Sequence, residues 1–462
     1  MNRRSFLNRV GLSSLSTTVS ATGIAQASAA FANDSSKKIN VADTESLGIP
    51  AYLKKSIRDE TLLMEPENLT VACYTFPNYH PSVIHNKLYG PGWTEYNLFR
   101  PVRLWFEGHQ LLKCCCFFLC MYLPNLLSGQ SPYIDGRPWT DKRIVCKDDG
   151  IVLRYGDGPA NCDAYGAREA NVVKDNGTYY LFYDGAGKDG WKSCLAESKD
   201  LKHWIKKGAI LQLGKPGAND SKSASAPWVI KEGKTWHMFY LGTPHTSPPP
   251  DRIPSFPYLT MKAKSTSLEG PWVKQYDVTP FFVKENSFYS VTASPGFIVK
   301  YNEEYLQFFS GATQDSSGTK RTLGIATTKN LDGPWTVNEK PIFPITEQVE
   351  NSSVYYEPAN KTWYLFTNHI GIDKNKTEYT DAIWVYWSKN IYHWNENDKA
   401  VVLDSINCTW SKGAIGMPSV IRVGNKLAVL YDAYEGYSTY HMRRNIGLAW
   451  IDIADLAKRE SD

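Results

Sequence analysis

From about residue 165 to the C-terminal end, short apolar runs alternate with polar turns in a pattern that repeats five times. Each repeat opens on a strand-like run: Glu169-Ala-Asn-Val-Val-Lys, Ala226-Pro-Trp-Val-Ile-Lys, Ser294-Pro-Gly-Phe-Ile-Val-Lys, Asn351-Ser-Ser-Val-Tyr and Met417-Pro-Ser-Val-Ile-Arg. A polar turn follows, then an aromatic strand such as Thr178-Tyr-Tyr-Leu-Phe-Tyr or Thr362-Trp-Tyr-Leu-Phe. Four of the repeats continue into a third strand that ends in a turn and a tryptophan: Trp204, Trp272, Trp335 and Trp394. Four-stranded units repeated in this way predict an all-β fold, a five-bladed β-propeller, with a short N-terminal appendage. The segment 139–156, which has no repeat partner, is expected to supply the outer strand of the last blade and close the ring.

The first 138 residues read differently. Arg3-Arg4-Ser5-Phe6-Leu7 followed by a small, mildly apolar stretch to residue 32 reads as a twin-arginine export signal. Residues 1–32 are therefore expected to be removed and the mature chain to be periplasmic or secreted. Removal takes away three arginines and no acid, lowering the formal net charge from +4 to +1. That balance offers nothing to a nucleic acid or an anionic membrane. Residues 33–138 read as a linker and a truncated barrel-like fragment. Val71-Ala-Cys-Tyr-Thr-Phe-Pro, Leu88-Tyr-Gly-Pro-Gly-Trp and Arg103-Leu-Trp-Phe-Glu-Gly resemble the opening of family 99-like glycoside hydrolase domains, but too little chain follows for a barrel. The run 111–127 is broken by Lys113 and Pro124 and is too short for a comfortable membrane span. Cys114, Cys115, Cys116 and Cys120 lack a second Cys/His pair for zinc. The propeller is expected over 139–462.

Chemistry in such a ring belongs where first strands begin and second strands end. The first set is Arg168/Glu169, Ser225/Ala226, Ala293/Ser294, Glu350/Asn351 and Gly416/Met417. The second is Asp184, His245, Gln314 or Asp315, His369 and Asp432, with Asp381 at the same edge as His369. Glu169 and Glu350 stand out as two carboxyls among mostly small neighbours. Glycoside cleavage needs one protonated carboxyl for the leaving oxygen and one ionised carboxylate for water or direct attack.

On these hairpins, and on Thr178-Tyr-Tyr-Leu-Phe-Tyr with Ser198-Lys-Asp-Leu-Lys-His-Trp, residues 140–455 resemble glycoside hydrolase family 43 and its five-bladed relatives. The resemblance implies a general base in the first blade, where Glu169 falls, and a general acid on Glu350 in Glu350-Asn-Ser. The family's middle carboxylate has no direct match, since Ser294 stands there. Asp163 and Asp220, on the loops leading into blades 1 and 2, are alternatives for either catalytic role. Arg168, Asp184, His245, His369, Asp381 and Asp432 are expected to bind substrate. A histidine leaving strand two serves as proton donor in the similar family 117, at the place His369 takes here. A structural Ca2+ in the central channel is implied by relatives alone, since no oxygen-ligand loop is evident.

The expectation is an exported exo-acting glycosidase that removes a terminal sugar from plant or algal polysaccharide fragments, with inversion. The alternatives are a non-catalytic carbohydrate-binding propeller and a glycoside phosphorylase. Replacing Arg3 and Arg4 by Lys is expected to leave the precursor in the cytoplasm on cell fractionation; unchanged export would remove the twin-arginine assignment.

Overall fold

The computed structural model describes Tyr133 and residues 135–457. The protein divides into Met1–Pro132 and Tyr133–Asp462. The expected signal segment, the family 99-like fragment and the Cys114–Cys120 run lie outside the described residues, as does the 33–138 segment up to residue 132. Among the described residues the regular secondary structure is nearly all strand, with one short helix, Ile453–Ala457, and two single 3-10 turns. Among the described residues no helix is long and apolar enough to cross a membrane.

The strands pair into antiparallel meanders. The first runs Gly166–Asp175, Thr178–Gly187, Gly190–Ser198 and Ile205–Ala209. The second is Ser223–Glu232, Thr235–Thr243, Tyr258–Ser265 and Val273–Lys274. In the third, a first strand split into Thr292–Ser294 and Ile298–Tyr301 precedes Glu304–Asp315, Gly318–Thr328 and Thr336–Val337. The fourth is Val349–Glu357, Thr362–Ile372, Glu378–Ser388 and Lys399–Asp404. The fifth has Ile415–Val423, Lys426–Tyr434 and Arg444–Asp452, and its fourth strand is Cys146–Leu153 from the other end of the unit. Together they form an all-β propeller. The closing strand covers what would otherwise be an open sheet edge.

The repeated turn before each tryptophan has a local cause. The indole N–H donates back to a carbonyl of its own turn, Trp204 to Leu201 at 2.9 Å, Trp272 to Leu268 at 3.2 Å and Trp394 to Ile391 at 2.8 Å. Apolar positions of the second and third strands, such as Leu181, Phe239, Phe308, Leu365 and Val429, are fully buried between neighbouring meanders. Aromatic side chains suit this layer because they add area on a pleated face.

Neighbouring meanders are joined at the start of each first strand. There the register with the second strand slips between Arg168 and Asn171, Ser225 and Trp228, Glu350 and Ser353, and Gly416 and Ser419. Each slip is a β-bulge whose residue after the last paired position takes a left-handed backbone: Glu169, Ala226, Asn351 and Met417, with φ of 49°, 46°, 58° and 54°. The bulge turns that residue's N–H away from its own ladder. A side chain from the preceding meander then accepts it: Asp432 for Glu169 at 3.0 Å, Asp184 for Ala226, Ser310 for Asn351 at 2.9 Å and Asn368 for Met417. By register the acceptors are equivalent, each lying opposite the residue before the bulge of its own meander.

The remaining junction differs in both partners. The acceptor position is Leu241, paired with Ser225, and the bulge position after Ser294 is Pro295. Proline has no N–H, so an apolar partner leaves nothing unsatisfied. Gly296 follows because a Cβ there would meet the carbonyl oxygen of Phe308 at 1.8 Å.

Ser310 is buried. Ser310→Ala is expected to orphan the Asn351 N–H and destabilise the fold by about 1–3 kcal/mol, read as a lower unfolding temperature.

Candidate active site

A cavity of about 80 Å3 opens where the first strands begin, and residues of all five meanders or their loops line it. First strands contribute Arg168, Glu169, Ser225, Glu350 and Met417. Second strands contribute Asp184, Leu241 and Ile370. The starts of third strands add Trp191, Tyr258, Arg321 and Glu378 with Tyr379 and Thr380, and His441 comes from the loop before Arg444–Asp452. Ile253 and Pro254, beside the small hairpin His245–Thr246 with Pro254–Ser255, wall one side.

The electrostatics divide the carboxyls into two kinds. Burial pushes the Glu169 carboxyl up to about 7 despite the adjacent Arg168, and the neighbouring Glu350 and Asp432 push the same way. Asp184 is raised well above the usual carboxylate range, again by burial first and by Glu169 second. Its Oδ1 accepts the Ala226 N–H. Glu350 is also raised by burial, but Arg321 opposes the rise and donates to it directly from Nη1. The same guanidinium donates from Nε and Nη2 to Glu378, at 2.5 and 2.9 Å. Glu169 is therefore the carboxyl better disposed to hold a proton near neutrality, and Glu350 the one with a cation in contact. This order of proton affinity is the opposite of the one the sequence suggested for the two residues, and the contact with Arg321 is the reason.

Arg168 is oriented from several directions. Its Nε faces Asp432 at 3.4 Å, its Nη1 faces Nδ1 of His441 at 3.4 Å, and its guanidinium carbon lies 5.2 Å from the centre of the Trp191 ring. Nε2 of His441 meets the Glu378 carbonyl at 3.2 Å. A carbonyl only accepts, so that nitrogen carries the hydrogen and Nδ1 accepts from Arg168. Burial and the nearby Arg168 and Arg444 hold His441 neutral, with its pKa well below the usual histidine range. Behind this layer, Asp432 is fully buried and accepts a 2.8 Å hydrogen bond from Nη1 of Arg444.

Of the residues singled out in the sequence, the cavity brings together Arg168, Glu169, Asp184 and Glu350, with Asp432 just beneath. Asp163 and Asp220 are corrected to structural positions. Both are fully buried; Asp163 meets Lys206 at 2.5 Å and Tyr183 at 3.3 Å, and Asp220 meets Lys274 at 2.5 Å and Tyr240 at 2.8 Å. With lysine and tyrosine filling their coordination, neither lines the cavity. His245 is exposed on the small hairpin and does not line it. His369 is fully buried, stacked on Trp384 at 3.8 Å with Tyr133 edge-on at 5.0 Å, and burial lowers its pKa to about 4. Strand alternation explains it: Asn368 points to the next meander's bulge, so His369 points into the sheet packing. Asp381 is engaged by both terminal nitrogens of Arg137. Asp315 is exposed, whereas Ser310 holds the equivalent register place.

Arg321, Glu378, Tyr258, Trp191 and His441 were missed as a class, since each comes from the start of, or the loop before, a third strand. No constant spacing marks them: second strands end at Gly187, Thr243, Asp315 and Ile372, and the third strands begin at Gly190, Tyr258, Gly318 and Glu378. Among the described residues no group of three or more His, Cys, Asp or Glu side chains is placed to hold a metal ion.

No family model matches the protein. A 1,2-beta-oligomannan phosphorylase of Thermoanaerobacter sp. (strain X514) is 41% identical over 49 residues, which is 10% of this chain and 17% of that protein. The match thus spans about a sixth of that relative's length. Among solved structures, BT0996 in its RGII complex aligns with a TM-score of 0.52 at 13% identity, covering 71% of this protein and 93% of that one. A glycoside hydrolase aligns with a TM-score of 0.51 at 12% identity and the same coverage. At that identity the likeness concerns the fold.

Glu169 supplies a stability test. Its folded pKa of about 7 lies above the ordinary 4.5, so its contribution is most favourable below about 4.5 and declines as pH rises through about 7. Glu169→Gln is expected to melt higher than the wild type at pH 8, with the difference vanishing at pH 4.

Proposed function

We propose that the protein is a glycoside hydrolase that removes a terminal sugar from plant or algal polysaccharide fragments. The observation that carries this is one cavity holding a carboxyl raised to about 7, Glu169, and a second, Glu350, in contact with a guanidinium. Glu169 donates its proton to the glycosidic oxygen as the bond to the anomeric carbon breaks. Water adds to that carbon, and Glu350 takes a proton from the water. The contact with Arg321 favours the ionised form of Glu350 for this step. The confined cavity suits one terminal residue, with the rest of the substrate outside the mouth, and so supports exo action. The resemblance to families 43 and 117 supports the same class, and the N-terminal arginine pair supports export.

A second reading, phosphorolysis, draws on the short phosphorylase match and on Arg168 and Arg321 meeting in one cavity. A panel of aryl glycosides and of algal and hemicellulose oligosaccharides, assayed with and without inorganic phosphate, separates the two. Free sugar released independently of phosphate is expected; a phosphate-dependent sugar 1-phosphate would make the protein a phosphorylase. Binding without turnover would leave a carbohydrate-binding propeller.

The acid role has its own test. Glu169→Gln is expected to abolish turnover of sugars with poor leaving groups while sparing activated aryl glycosides, which need little protonation. Glu350→Gln should lose both. Wild-type activity should fall as pH rises through about 7, where Glu169 loses its proton. The reverse pattern between the two variants would return the acid role to Glu350.

A further inference from the structure

Both guanidiniums at the cavity are already engaged by the protein. Arg321 uses Nε and Nη2 on the two oxygens of Glu378, at 2.5 and 2.9 Å, and Nη1 on Glu350. The Nε/Nη2 edge is the fork that receives a carboxylate, or a sulfate or phosphate group, through two parallel bonds. Glu378 fills that fork from within. Arg168 is held through Nε by Asp432 and through Nη1 by a neutral His441 that adds no charge. The other ionisable groups lining the space include the carboxyls of Glu169, Asp184 and Glu350. An anionic group entering here would meet several carboxyls, an Arg321 fork already filled, and an Arg168 whose Nε and Nη1 are already engaged.

We propose that Glu378 sets specificity: by occupying the anion-binding edge of Arg321 it makes the cavity accept an uncharged terminal sugar and exclude uronic acids and sulfated sugars. The word sugar rests on the function proposed above; the exclusion of anions rests only on the hydrogen bonds. Neutral hydroxyls remain well served. They accept from guanidinium nitrogens without displacing a buried carboxylate, and they donate to Glu350 or Asp184.

Inorganic sulfate tests the charge argument without any sugar. At constant ionic strength with chloride as control, the wild type is expected to show no saturable sulfate binding by calorimetry and no sulfate-specific rise in unfolding temperature. Glu378→Gln is expected to gain saturable sulfate binding, lost again when Arg321→Gln is added. With matched pyranoses and their uronic acids, the acid-to-neutral affinity ratio should rise roughly tenfold or more in Glu378→Gln, the scale of a charge-assisted bond. Saturable binding of sulfate or a uronic acid in this cavity by the wild type would overturn the proposal. So would an unchanged ratio in a folded Glu378→Gln. Should that variant not fold, Glu378→Ser repeats the test, and the wild-type measurement alone decides the exclusion. If sulfate follows the expected pattern but no sugar binds, the carbohydrate reading fails and the role of Glu378 stands.

Discussion

The arrangement depends on one recurring constraint: a backbone N–H turned out of its ladder by a bulge and needing an acceptor. At four junctions a side chain of the preceding meander meets that need, from Asp184, Ser310, Asn368 and Asp432. The hydrogen bond links neighbouring meanders where their first strands begin. Leaving such a buried group unpaired would cost about as much as a lost hydrogen bond. The left-handed backbone at Glu169 is part of the same device. A position shaped by assembly thus also presents a carboxyl to the cavity, and Asp432, which accepts the N–H of Glu169, helps to raise that carboxyl's pKa.

A second recurring device explains why two carboxylates singled out in the sequence, Asp163 and Asp220, lie away from the cavity. Asp163 with Tyr183 and Lys206, and Asp220 with Tyr240 and Lys274, are the same trio in successive meanders. Glu347 with Tyr386 and Lys399 is a related set in the fourth. In the fifth, Asp148 on the closing strand accepts from Tyr431 at 2.6 Å. These groups tie strands together behind the apolar layer. A buried carboxylate satisfied by an ammonium and a phenol is held in place and has little capacity left for a substrate.

The fold was legible because its signals are local: aromatic runs, turns and a returning tryptophan, each repeated at similar spacing. The first-strand ring was legible too, except that Ser294/Pro295 stands one place beyond the expected Ala293/Ser294. The second ring was placed by loop ends and therefore slipped. His245 stands four places beyond Leu241, and His369 one beyond Asn368, and in a strand one place reverses the face. Counting from the aromatic that precedes Asp184 and Asp432, Tyr183 and Tyr431, would have led to Leu241 after Tyr240 and Ser310 after Phe309. The third ring had no such cue. Arg321 and Glu378 gain meaning only once their strands stand side by side, and with them the relative acidity of Glu169 and Glu350 changes.

The strand Cys146–Leu153 is made about 290 residues before its partner Arg444–Asp452. On the ribosome the earlier meanders can pair locally, but the ring stays open until the final strand has emerged. Until then the nascent polypeptide carries unpaired sheet edges of the kind that invite intermolecular pairing. Because the entropy of closing a long loop grows only logarithmically with its length, the distance along the sequence adds little to the cost of that last step. What it sets is timing: the cavity, which draws on every meander, comes into being only once Arg444–Asp452 has been made.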